Sequence, residues 1–143
     1  MKSFQATTTI RANPQAIWAI LTDPAGYPTW DPGMVRVEGR LALGEAVKFF
    51  TTFSPDRAFA VKVTAFEPGR KMVLTGGLPF GLFKSERTHT LTAGESGETT
   101  FHTEEIFSGP LLPLFGRTLP DLSESFRAFA AGLKTQAERE AAA

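Results

Sequence analysis

The chain opens on a strand pattern and passes quickly into a helical one. In 4-FQATTTIR-11, Phe4, Ala6, Thr8 and Ile10 share one face, and Gln5, Thr7, Thr9 and Arg11 the other. That alternation is the signature of a strand with one buried side. Asn13 followed by Pro14 predicts a helix start. An Asn side chain accepts from the free amides of a first turn, and proline fits there because no donor is needed. Ile17, Trp18, Ile20 and Leu21 give this helix an apolar side, and Pro24 ends it within a turn. The stretch 22-TDPAGYPTWDP-32 then carries Tyr27 and Trp30 between prolines that stiffen the passage toward the strands.

From there the pattern is strand-like. Val35 and Val37 mark a short strand, and Gly39 and Gly44 flank a turn. Segment 46-AVKFFTTF-53 is the next strand, and Phe59, Val61, Val63 and Ala65 alternate in another. The turn 68-PGR-70 leads into 71-KMVLTG-76, and a Gly/Pro loop, 76-GGLPFG-81, carries Phe80. Two longer strands, about 82 to 92 and 99 to 107, are joined by the turn 94-GESG-97. After the apolar, proline-broken 109-GPLLPLFG-116, the period changes. Leu119, Leu122, Phe126, Phe129, Leu133 and Ala137 recur three and four apart and predict an amphipathic helix from about 119 to 139. Thr118 and Asp121 form its expected capping pair, with Pro120 in the first turn. Strands in series imply an antiparallel sheet, and one long helix is available to cover one face. The expectation is therefore an α+β fold: a curved seven-stranded antiparallel sheet around a long C-terminal helix, with two short helices after the first strand. A single helix cannot fill a wide concave face, so a space between them is the default ligand site.

Composition sharpens this picture in two places. Thirteen phenylalanines stand against one tyrosine, so the rings bring bulk without polar tips and suit a core or an apolar cavity. There is no cysteine, which removes disulfides, thiolate chemistry and Cys-based metal sites. The length of 143 residues fits one domain, 1–143. A formal net charge of +0, with both signs mixed along the chain, leaves no basic stripe, so no nucleic-acid partner is expected. No apolar run approaches the ~18 residues of a membrane span, and the N-terminus lacks the apolar core of a signal peptide. A cytoplasmic protein, monomeric or homodimeric and without stable membrane insertion, is the expectation.

Four stretches together resemble one known group: 13-NPQAIWAILTDPAGYPTWDP-32, 67-EPGRKMVLTGG-77, 105-EIFSGPL-111 and 133-LKTQAE-138. In order and spacing they are similar to the START-like, or SRPBCC, superfamily of helix-grip proteins, in its polyketide cyclase/dehydrase-like branch. The resemblance spans nearly the whole chain. It implies a helix-grip fold and a hydrophobic small-molecule partner, such as a lipid, sterol or polyketide. Some members cyclise or dehydrate such ligands, and others serve in transport or stress responses. The chaperone-ATPase activators of the superfamily share an aspartate-proline and tryptophan region after the first helix, which keeps a protein-interaction module open.

Candidate chemistry lies on the two long strands. In 83-FKSERTHTL-91, Phe83, Ser85, Arg87, His89 and Leu91 share a parity, and its apolar ends predict that it faces inward. Phe101, Thr103, Glu105 and Phe107 share the matching parity on the next strand. Arg87, His89 and Glu105 then converge on the concave face. An unpaired buried charge is costly, so Arg87 and Glu105 should pair or hydrogen-bond, either as a structural ion pair or as part of a ligand site. His89 could act as a general acid or base. His102 and Glu104 fall on the outer parity. Phe80 and Phe115, from loops, and Phe126, from the helix, are candidate cavity walls. Trp30 is either a plug or part of the cavity mouth. The candidate ligand-binding set is therefore Trp30, Phe80, Phe83, Arg87, His89, Phe101, Glu105, Phe107, Phe115 and Phe126, with Arg87, His89 and Glu105 as catalytic candidates. Two histidines on opposite faces and no carboxylate cluster argue against a metal, and no cofactor motif is present.

Overall fold

The computed structural model describes residues 1–116 and 121–143, the side chains at 115 and 116 excepted. The elements run β1 (Lys2–Ile10), α1 (Pro14–Leu21), α2 (Tyr27–Trp30), β2 (Met34–Gly39), β3 (Ala46–Thr51), β4 (Ser54–Glu67), β5 (Lys71–Gly77), β6 (Lys84–Ala93), β7 (Thr99–Ser108), α3 (Leu112–Gly116) and α4 (Ser123–Ala142). Among the described residues, seven strands form one sheet in the order β1-β7-β6-β5-β4-β3-β2, and every neighbouring pair is antiparallel. The sheet curls into a half-barrel, with α4 as its long cover. This is the expected α+β helix-grip architecture.

Local chemistry explains the first helix. The Asn13 side chain accepts from the Ala16 N–H at 2.8 Å, and Pro14 occupies the first helical position. Ile17, Ile20 and Leu21 bury the inner side of α1, and Trp18 packs at 5.1 Å on Phe66 of β4. Phe66 takes this inner position because β4 bulges between Val63 and Ala65. One extra residue reverses the parity beyond it, so Ala65, expected on the inner face, lies opposite Val73 while Phe66 pairs with Met72.

The C-terminal helix begins later than the periodicity predicts, at Ser123 rather than about 119. The Asp121 carboxylate accepts from the Ser123 N–H at 2.9 Å. The expected Thr118 cap, and Leu119 and Pro120 as first-turn residues, lie outside the described residues. Phe126, Phe129, Ala130, Leu133 and Ala137 are buried, so the three-and-four spacing locates the covering face. At the far end α4 is pinned to β1. Lys134 donates to the Thr9 carbonyl at 2.6 Å and to Glu138 at 2.9 Å, and Glu138 accepts from the Arg11 N–H at 2.9 Å.

Candidate functional site

The register of β6 and β7 decides which side chains meet. Ser85 lies opposite Phe107, Arg87 opposite Glu105, His89 opposite Thr103 and Leu91 opposite Phe101. Across the neighbouring strands this gives two rows on the inner face. One runs Leu74, Arg87, Glu105, Phe4, and the other Met72, His89, Thr103, Ala6. His89, Thr103, Leu91, Phe101 and Phe107 are buried, and Phe83, Arg87 and Glu105 are half-buried. His102 sits on the outer face, where its Nδ1 meets the Thr7 hydroxyl at 2.7 Å.

The helix closes over these rows with aromatic rings. The Arg87 guanidinium lies 4.1 Å from the Phe126 ring centre and 4.6 Å from that of Phe129. His89 stacks on Phe129 at 5.3 Å with the planes 3° apart, and on Phe101 at 5.7 Å. Phe107 is flanked by Phe83 at 6.0 Å and Phe4 at 6.2 Å. A desolvated guanidinium over a ring is stabilised by about 2 kcal/mol, which offsets only part of the cost of burying its charge.

Arg87 and Glu105 do not close to an ion pair. Among the described residues the ion pairs are Arg36–Glu38, Glu67–Arg70, Lys84–Glu86 and Lys134–Glu138, all at the surface. Arg87 instead donates from Nε to the Thr103 hydroxyl at 3.1 Å, and its buried Nη2 has no partner. The guanidinium lies over the Phe126 and Phe129 rings of α4. Burial draws the Arg87 pKa down, while Glu105, then Asp31 and Tyr27, draw it up. Burial pushes the Glu105 carboxyl up, and Arg87 pulls it down. His89 is held well below the ordinary imidazole value by burial and then by the Arg87 charge, so the ring is neutral near pH 7. Its Nδ1 is buried and has no partner.

Asp31 is a member of this group that the strand patterns did not reveal. It is only 5% exposed, its Oδ1 accepts from the Gly33 N–H at 3.0 Å, and burial raises its pKa against the pull of that bond and of Arg87. The signal for it was an acid directly after Trp30, between that ring and Pro32, but its burial depends on α2 docking against α4. Tyr27 is also buried, and its hydroxyl donates to the Leu21 carbonyl at 2.5 Å. Burial raises the Tyr27 phenol well above its ordinary value.

Trp30 lies on the packed side. Its ring is 4.7 Å from Tyr27 and 5.0 Å, edge-on, from Phe129, and it is 7% exposed. It therefore plugs the joint between α2 and α4, with its indole nitrogen buried and without a partner. Phe80 stands outside the site. Its ring is 98% exposed at the tip of the β5–β6 loop, so it is no cavity wall in this conformation. The short helical turn at Pro79–Gly81, with Phe80 at φ +60°, points the ring outward. The side chain of Phe115 lies outside the described residues. Phe126 and Phe101 are buried in the rings around Arg87 and His89.

The inner face is less covered at its lower end, where β6 begins. Phe59 has the inward parity of Val61, since Phe59 pairs with Phe49 and Val61 with Val47, yet it is 56% exposed. Leu78, Leu82 and Leu114, at the same end of the sheet, are exposed too. Two clefts lie at the opposite end, one of about 550 Å³ around Thr9, Arg11, Glu98 and Lys134, the other of about 580 Å³ around Gln15, Arg70, Lys71 and Leu91. Neither includes Arg87, His89 or Glu105. Among the described residues, no group of three or more His, Cys, Asp or Glu is placed to hold a metal, and no helix is long and apolar enough to cross a membrane.

The sequence profile of the family described as polyketide cyclase / dehydrase and lipid transport matches residues 1–138. The chain belongs to this family. It is thereby a START-like, SRPBCC protein of the polyketide cyclase-like branch. No curated protein matches it. Among solved structures, the Zhui aromatase/cyclase from Streptomyces sp. R1128 is similar at a TM-score of 0.78 and 15% identity, covering 98% of this chain and 95% of that one. A Mesorhizobium loti protein is similar at 0.74 and 21%, covering 96% and 98%. A START superfamily protein from Mycobacterium smegmatis is similar at 0.69 and 17%, covering 96% and 98%. At these identities the family member and its neighbours share a fold.

Proposed function

We propose that this family member binds a hydrophobic or aromatic small molecule, lipid- or polyketide-like, between the inner face of β6–β7 and helix α4. The observation that carries this reading is the pair of buried polar atoms left without partners among aromatic rings: Arg87 Nη2 and His89 Nδ1. Buried polar groups are nearly always paired in folded proteins, so two adjacent exceptions suit a partner from outside the chain. Phe83, Phe101, Phe107 and Phe126 supply the apolar surround, and the open lower end around Phe59 and Leu82 supplies the way in. Displacement of an environment-sensitive apolar dye, with native mass spectrometry of the purified protein, tests it. A bound or displaceable apolar ligand, lost in Arg87→Leu, is expected. A protein that neither carries nor takes up any apolar molecule overturns it.

A second reading, a cyclase/dehydrase-type enzyme, is favoured by family membership together with His89 and Glu105. A neutral imidazole can take a proton from a carbon next to a carbonyl. A carboxyl with a raised pKa can deliver a proton to a departing hydroxyl, which leaves as water. Unchanged turnover of a polyketide-like substrate in both His89→Ala and Glu105→Gln would remove these residues from that chemistry.

A further inference from the structure

Two carboxyl groups act on the Arg87 guanidinium. Glu105 faces it across the β6–β7 register. Asp31, buried at the end of α2, acts on it electrostatically. Neither carboxylate touches the guanidinium closely enough to form an ion pair, and Nη2 keeps a free donor. The guanidinium thus has a donor to give but its charge is already spoken for. A buried cation with no counter-charge is the costlier state, so at least one of Glu105 and Asp31 is ionised beside it.

We infer that the site selects uncharged aromatic ligands bearing a keto or hydroxyl oxygen and rejects their carboxylates, because Glu105 and Asp31 already balance Arg87. The inference rests on the binding reading above and adds the charge class of the ligand. A carbonyl or phenolic oxygen can accept from Arg87 Nη2 without bringing charge. A hydroxyl can also meet the unpartnered Nδ1 of the neutral His89. A ligand carboxylate would satisfy the same donor but place another anion beside Glu105 and Asp31, in surroundings where like charges repel strongly. The stacked rings of Phe129, His89 and Phe101 suit a planar ring held next to that oxygen.

The test compares 2-naphthol with 2-naphthoate, ligands of similar size differing in charge, by isothermal titration calorimetry near pH 7. Naphthol should bind at least tenfold more tightly. In Glu105→Gln, which keeps the shape and removes one carboxylate charge, the ratio should shrink at least threefold in favour of naphthoate. Asp31→Asn should shift it the same way. Circular dichroism melts identify any variant that has lost its fold. If Asp31→Asn does not fold, the Glu105→Gln result decides. Equal affinities, or tighter binding of naphthoate by the unaltered protein, would overturn the charge selectivity while leaving the binding reading intact. An unchanged ratio in folded Glu105→Gln and Asp31→Asn would overturn the assigned cause. Failure of both naphthalenes to bind, when the apolar dye also fails, would overturn the binding reading itself and this inference with it. Dye binding without either naphthalene would overturn the inference alone.

Discussion

Gly132 of α4 lies directly against the backbone carbonyl of Trp30, so close that a Cβ at position 132 would overlap the carbonyl oxygen. The missing side chain lets α2 tuck under α4, which buries Trp30, Tyr27 and Asp31 together. Glycine inside a helix is normally a liability of about 1 kcal/mol against alanine. Here that preference should reverse. Gly132→Ala should lower stability by about 1–3 kcal/mol, the usual range for overpacking a tight contact, measured by urea denaturation. A variant as stable as the parent would show that α2 and α4 can separate without cost.

Arg87 offers a separation of stability from binding. Its charge is buried, and its hydrogen bonds are one to Thr103 with Nη2 unpaired. Removing the cation while Glu105 and Asp31 stay buried leaves them without a counter-charge, so Arg87→Leu should lower stability near pH 7 by about 3–5 kcal/mol, the usual cost of stranding one side of a buried charge group. The loss should be smaller near pH 5, where protonation of the two carboxylates relieves it, while apolar dye displacement stays at least tenfold weaker at both pH values. A stability loss that does not change between the two pH values would show that neither carboxylate balances Arg87.

His89 sets a pH dependence whose sign follows from its burial. Its folded pKa lies well below the ordinary value of 6.5, so below about 6.5 the unfolded chain binds a proton that the folded chain refuses. Stability from this group is complete above pH 6.5 and falls as pH drops below it, by up to about 1.4 kcal/mol per pH unit. Glu105 and Asp31 act the other way. Their raised folded values make the folded chain bind protons first, so their contribution grows as pH falls and is lost as pH rises through those folded values. His89→Phe keeps a flat ring on Phe129 and removes the titration. The parent minus variant difference should shrink between pH 7 and pH 5, a trend that cancels the two carboxylates. A flat difference would place a proton on His89 in the folded protein.

Phe80 holds a left-handed backbone, φ +60°, while its ring makes no use of the interior. A non-glycine residue there costs about 1 kcal/mol. Phe80→Gly should raise the unfolding midpoint modestly and leave dye binding unchanged. Lower stability would mean that the exposed ring contributes packing not evident from its exposure.

Much of the architecture was legible because it depends on local periodicity. The alternation from Phe4 to Ile10 and the three-and-four spacing from Phe126 to Ala137 identify which faces are buried. Asn13 and Pro14 start α1 by chemistry confined to one turn. The parity of Arg87, His89 and Glu105 was also legible, because the apolar ends of each strand point the same way as the polar residues between them. The bulge after Val63 was not, since one extra residue in β4 leaves no compositional mark. The β4 alternation therefore assigns Ala65 the place that Phe66 takes.

What the sequence determined by itself was a helix-grip order and three polar side chains on the inner face of two adjacent strands. Tertiary structure alone decided what those groups do to one another. Strand register sets Arg87 opposite Glu105, but the Phe126 and Phe129 rings of α4, about forty residues further along, hold the guanidinium under the helix rather than in an ion pair. Asp31 is buried next to Trp30, whose backbone Gly132 admits against α4. Periodicity reports which way a side chain points. Charge balance in a buried site depends on distances between elements far apart in the chain, and those are settled only when the faces pack.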